Sequence, residues 1–144
     1  YMEVFATKEI LNQVSEAANK DEVFIRASSE TPEVVLNKNE GEIRFAGRSM
    51  PQDAKSFYNP LKEWVAKYAE DPQQGTHVVL AYEYFNTASS KMIMELIEEI
   101  KEIGKKDDQL KVEWHYLEDD DDMLEAGEDY EEITGITFEY LSYE

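Results

Sequence analysis

The sequence predicts an α/β domain, a single mixed sheet covered by helices. Short apolar stretches with strand-like two-residue alternation recur along the chain, and in the second half they take turns with stretches of helical period. Strands separated by helices need crossover connections, which favours parallel neighbours there, while an Asn/Gly turn between two alternating stretches in the first half marks an antiparallel hairpin. The expected order is β-β-β-α-β-α-β-α-β. At 144 residues with 42% hydrophobic content, the chain is one domain's worth and can bury a core without disulfides or metal.

Residues 1–21 are weakly patterned. Ile10, Leu11, Val14, Ala17 and Ala18 fall at helix-like spacing after a possible cap at Thr7, so the segment reads as an N-terminal extension, either a short amphipathic helix or an ordered stretch, ahead of a domain over residues 22–144. Its few apolar residues suggest little contribution to the core, and dispensability. Tyr1 precedes Met2, as expected of a chain that opens on an added residue or within a longer reading frame.

Val23, Ile25 and Ala27 alternate with Phe24 and Arg26 in a first strand. Val34-Val35-Leu36 and Ile43-Arg44-Phe45-Ala46 flank Asn39-Glu40-Gly41-Glu42, the hairpin. Phe57, Leu61, Trp64, Val65 and Tyr68 then share one helical face. Within that stretch, Asn59-Pro60 either caps a second helix or kinks a longer one. His77 to Phe85 is apolar on both faces and reads as a central strand. The next helix buries Ile93, Leu96, Ile97, Ile100 and Ile103 and stops at Gly104, with Lys105 and Lys106 beside its negative end. Leu110, Val112, Trp114 and Tyr116 alternate as a strand, a helix is expected from about Asp120 to Glu132, and Ile136, Phe138 and Tyr140 form the last strand.

Charge narrows the function. Against 14 basic side chains stand 33 acidic ones, a net of −19. Such a surface repels nucleic acid and anionic lipid, both of which are held by Lys and Arg. With no cysteine there is no thiolate nucleophile, disulfide or zinc-thiolate centre, which fits a cytoplasmic protein. No apolar run approaches a membrane span. GxSxG, P-loop and GxGxxG motifs are missing, and no cofactor is expected. His77 and His115 lie in separate strands without an acidic or hydroxyl partner at a recognisable spacing, so a structural role is expected for both.

Two places remain where chemistry could sit. Asn86 ends an apolar strand, and Thr87, Ser89 and Ser90 follow within four residues as a helix begins. A helix start offers free N–H groups and a positive dipole end, a favourable place for a phosphate, bound or attached, although Ser and Thr there more often simply cap the helix. Lys91 is misplaced with respect to that dipole unless an anion is near, and Arg48, one of few basic residues, sits in the turn closing the hairpin, either as an ion pair or as a contact. The second place is Glu118 to Asp122, a carboxylate run that could hold Mg²⁺ but matches no EF-hand loop and equally suits a helix N-terminus.

From about Thr31 to the end, the chain resembles the SiaC family of bacterial regulatory phosphoproteins. Thr31-Pro32-Glu33, Gly47-Arg48-Ser49 with Pro51, Phe57-Tyr58 with Pro60, Tyr84-Phe85-Asn86-Thr87 with Ser89-Ser90-Lys91, Trp114 with Tyr116, and Asp122-Met123-Leu124-Glu125 with Gly127-Glu128-Asp129 carry the resemblance. It departs at Met50, usually aromatic, and at Ala88, often a hydroxyl residue. The resemblance implies a STAS-like fold and a non-catalytic partner switch. On that resemblance a cognate protein kinase is expected to phosphorylate Thr87, a PP2C-type phosphatase to reverse this, and the unphosphorylated form to bind and activate a diguanylate cyclase or another signalling protein. Ser89 and Ser90 are the fallback acceptors, and Arg48, Asn86, Thr87, Ser89, Ser90 and Lys91 the expected partner surface. The alternative is a metal-dependent phosphoester hydrolase using Asp119, Asp120, Asp121 and Asp122.

Overall fold

The structure, a computed structural model, describes residues 2–144, with side chains from residue 8 onward. Its elements are α1 (Met2–Ala17), β1 (Glu22–Ile25), β2 (Glu33–Asn37), β3 (Glu42–Ser49), α2 (Ala54–Glu70), β4 (His77–Phe85), α3 (Thr87–Ile103), β5 (Lys111–Leu117), α4 (Asp121–Thr134) and β6 (Glu139–Tyr143). One six-stranded sheet takes the strands in chain order. β1–β2–β3 are antiparallel and β3–β4–β5–β6 parallel, so the expected mixed sheet is what the chain forms. Each crossover from β3 to β6 advances one strand, and crossovers of one hand place their helices, α2, α3 and α4, on the same face. The helices accordingly pack side by side, α1 on α2, α2 on α3, α3 on α4.

Two-residue alternation decides which side chains meet those helices. Val34 and Leu36, Ile43 and Phe45, Val78, Leu80 and Tyr82, and Val112 and Trp114 face inward and are buried against Phe57, Leu61, Val65, Ile93, Leu96, Ile97 and Ile100. α2 is one continuous helix with Pro60 inside it, begun by Asp53, whose side chain accepts from the Ser56 N–H; of the two sequence readings, the single helix holds. At the β2–β3 hairpin Gly41 takes φ 66°, which an L side chain resists, and an added Cβ would sit 2.9 Å from the Tyr68 hydroxyl.

Three expectations are corrected. α1 begins at Met2, so Thr7 lies within it rather than capping it, and the Thr7 side chain falls outside the described residues. Nor is α1 marginal to the core: Val14 and Ala17 are fully buried, and the Trp64 indole donates to the Lys20 carbonyl at 2.7 Å. The last strand starts at Glu139. Ile136 and Phe138 are buried in the connection before it, Phe138 stacking on Trp114. Both join the core, and strand pairing starts only where Glu139 meets Glu113.

Among the described residues the opposite sheet face carries no helix, and polar pairs along and across its strands keep it wet. Arg44 meets Glu33, Lys111 meets Glu113 and Glu139, and both histidines converge on Glu113, each Nε2 2.8 Å from a different carboxylate oxygen. The reading of His77 and His115 as partnerless is thus corrected. Glu113 lies two residues from His115 on one face and diagonally across the ladder from His77, a pairing that appears only once the register is set. Burial pushes the Glu113 carboxyl up, but the hydrogen bonds from His115 and His77 and the nearby positive charge outweigh it and hold it at about 2.

Candidate functional site

β3 and β4 run parallel to a shared end, where Arg48 pairs with Tyr84 and Ser49 with Phe85 after a bulge at Gly47/Arg48. Asn86 then turns the chain into α3. Its backbone N–H donates to the Ser49 carbonyl at 3.1 Å, its side-chain oxygen accepts from the Ser89 N–H at 2.9 Å, and its carbonyl accepts from the Ser90 N–H at 2.9 Å. The cap of α3 is therefore Asn86, not one of the hydroxyl residues. That overturns the expectation that a Ser or Thr here serves as the cap, and it leaves the three hydroxyls for other uses.

Their surroundings separate them. Ser89 is fully buried and accepts from the Ser49 hydroxyl at 2.9 Å; Ser49 also lies 2.6 Å from the Tyr58 hydroxyl, which lies 3.1 Å from that of Tyr82. Four buried hydroxyls thus join α3, β3, α2 and β4. Burial drives the Tyr58 and Tyr82 phenols far above their ordinary range, so they stay protonated donors at any physiological pH. Ser90 is half-buried, its hydroxyl 3.1 Å from that of Tyr130, which donates to the Ser90 carbonyl at 2.8 Å; burial raises that phenol to about 12. Thr87, the first residue of α3, is exposed, as are Ala88 and Lys91. Ile93 below is fully buried, whereas Phe85 is only half-buried, its ring against Tyr82 and Tyr130.

Arg48 is exposed on the same end of the sheet, its guanidinium carbon 5.2 Å from the Tyr84 ring centre. Among the described residues, neither Arg48 nor Lys91 has a carboxylate within ion-pair distance. In a chain with more than twice as many acids as bases, two such cations near one turn are notable. Arg48, Asn86, Thr87, Ser90 and Lys91 thus come together around the start of α3, while Ser89 points inward.

The acidic run is used differently. Asp120 caps α4 by accepting from the Met123 N–H at 3.0 Å, and Asp121 and Asp122 occupy the first turn, where negative charge opposes the positive helix end. Among the described residues, no group of three His, Cys, Asp or Glu side chains is placed to hold a metal ion.

Sequence reasoning missed Ser49, Tyr58, Tyr82 and Tyr130. All three tyrosines occupy core positions, and a buried phenol requires a partner, but nothing local names it.

The fold and the turn together define a small one-sheet α/β domain that presents a hydroxyl on the first residue of a helix, at the shared end of its parallel strands. The chain belongs to the SiaC family of regulatory phosphoproteins, whose sequence model matches residues 25–143 and so leaves out α1. An uncharacterized protein of Pseudomonas aeruginosa (strain UCBPP-PA14) is 22% identical over 117 residues, covering 81% of this chain and 93% of that protein. Among solved structures, SiaC of Pseudomonas aeruginosa superposes with a TM-score of 0.75 at 21% identity, over 86% of this chain and 100% of that one. A second match is the crystal structure of the diguanylate cyclase SiaD in complex with its activator SiaC, from the same organism. Its TM-score is 0.75 at 21% identity, over 84% of this chain and 99% of that one. No described helix is long and apolar enough to cross a membrane.

Proposed function

We propose that this SiaC-family protein is a non-catalytic partner switch whose state is written on Thr87. A cognate kinase phosphorylates Thr87 and a PP2C-type phosphatase removes the phosphate. The unmodified form binds and activates a signalling enzyme, for which a diguanylate cyclase is the candidate because one is bound by the structurally similar SiaC. The carrying observation is the sorting of the three hydroxyls. Thr87 faces solvent, while Ser89 is sealed in the core and Ser90 is held by Tyr130.

A phosphate on Thr87 adds nearly two negative charges at the positive end of α3, which the helix tolerates. In an interface the same group must be stripped of water, and it adds to the repulsion between a −19 protein and any acidic partner surface. A coupling of roughly 1–3 kcal/mol, ordinary for regulation, corresponds to a 5- to 150-fold change in affinity. Arg48 and Lys91 belong to the partner surface, their charges being free to pair with an incoming carboxylate.

Phosphopeptide mapping after co-expression with the cognate kinase tests the assignment. Phosphate is expected on Thr87 alone and absent from Thr87→Ala, which binds the cyclase constitutively, whereas Thr87→Glu binds more weakly. Undiminished phosphorylation of Thr87→Ala, or phosphate only on Ser90, removes Thr87 from the mechanism.

A further inference from the structure

On the uncovered sheet face, the ends of β5 and β6 form an apolar strip. Leu117, Leu141 and Tyr143 expose 44%, 37% and 39% of their surface, and Leu117 pairs with Tyr143 across the ladder. Beside the strip, Tyr82, Glu83, Leu117, Asp120 and Tyr143 line a cleft. Two carboxylates therefore overlook an apolar wall that includes an aromatic ring. Both share the cleft with Tyr143: burial first, then the charges of Glu83 and Asp120, raise that phenol. Among the described residues, neither carboxylate has a basic side chain within ion-pair distance, although Asp120 accepts one backbone N–H.

We infer that this cleft is a docking site for an arginine side chain, flanked by apolar residues, on a partner protein. Charge complementarity selects a cation, and the net charge of −19 steers one toward the surface. The walls select arginine over lysine. Its planar guanidinium lies against the Tyr143 ring while its forked N–H groups reach carboxylates on two sides, which the single ammonium of lysine does not match. The neighbouring apolar residues of the same partner segment cover Leu117 and Leu141. Glu83 stands four residues before Thr87 in the chain, so the cleft lies on the same end of the sheet as the Thr87 turn, but its recognition does not depend on Thr87 being the acceptor.

The test uses the full unphosphorylated chain labelled with ¹⁵N, titrated with acetyl-Leu-Arg-Leu-amide and with the isosteric, uncharged citrulline peptide. Saturable shifts are expected for the arginine peptide at Glu83, Leu117, Asp120 and Tyr143. Glu83→Gln should weaken it roughly fivefold, and the citrulline peptide should bind about tenfold more weakly or not at all, as a charge-assisted contact requires. Asp120→Asn keeps the helix cap while removing the second charge, and should weaken binding similarly. Equal binding of the citrulline peptide overturns the inference, as do shifts scattered over the whole acidic surface, an unchanged affinity in Glu83→Gln, or no binding at all.

Discussion

Removing single hydroxyls from the buried chain should reveal its wiring. Ser49 touches two partners, Tyr58 at 2.6 Å and Ser89 at 2.9 Å, whereas Ser89 touches only Ser49 with its side chain. Ser49→Ala therefore deletes two hydrogen bonds of about 1 kcal/mol each and strands the Ser89 hydroxyl in the core, for a total loss of about 3 kcal/mol. Ser89→Ala deletes one bond and leaves Ser49 still bonded to Tyr58, a loss of about 1 kcal/mol. In the double variant the stranded hydroxyl is gone, so the loss should fall to about 2 kcal/mol, below that of Ser49→Ala alone, and the cycle should show a coupling of about 2 kcal/mol. Equilibrium urea denaturation followed by tryptophan fluorescence measures all four proteins. Equal single losses, or strictly additive ones, would refute the chain of contacts and would mean that water or another group satisfies Ser89.

Three further outcomes follow from other parts of the structure. At Gly127 an added Cβ would lie 2.7 Å from the Trp114 indole nitrogen, so Gly127→Ala should destabilise by about 1–3 kcal/mol despite alanine's better helix propensity, and a raised Tm would contradict that packing. Glu113 is held near 2 against an ordinary 4.5; a depressed carboxylate stabilises above its unfolded value and loses that contribution as pH falls from about 4.5 toward 2. Denaturation across that window should show a flatter acid limb in Glu113→Gln. Deleting residues 1–21 removes buried Val14 and Ala17 and the Trp64 bond to Lys20, and should cost about 3 kcal/mol by thermal or chemical denaturation, whereas an unchanged Tm would show α1 to be an appendage.

The fold was legible where a pattern repeats within one element. Phe57, Leu61, Trp64, Val65 and Tyr68 are all buried on α2, as their spacing predicts, and the Asn/Gly turn set the β2–β3 hairpin. Legibility failed where one residue's offset decides the outcome. Asn86, Thr87 and Ser89 are all competent caps, and only the backbone geometry shows that Asn86 takes the position. In the same way, Ile136 and Phe138 alternate like strand residues but bury themselves before pairing begins. Partners far apart in the chain were invisible: Ser49 and Ser89 are 40 residues apart, and so are Ser90 and Tyr130. The exposed turn could be proposed from sequence, but not the burial of Ser89 that distinguishes it from Thr87.

That Asn86 rather than Thr87 closes the first turn of α3 has a consequence for how such a switch can be read. On the proposed reading, the residue that holds the helix start and the residue that carries the phosphate are different, so chemistry at Thr87 would neither supply nor remove the bond that anchors the turn. Modified and unmodified molecules are then expected to share the turn at Asn86. A partner that tells them apart must sense the added group itself, by contact or by charge, instead of waiting for a change of shape. Discrimination of that kind is as fast as encounter and needs no refolding.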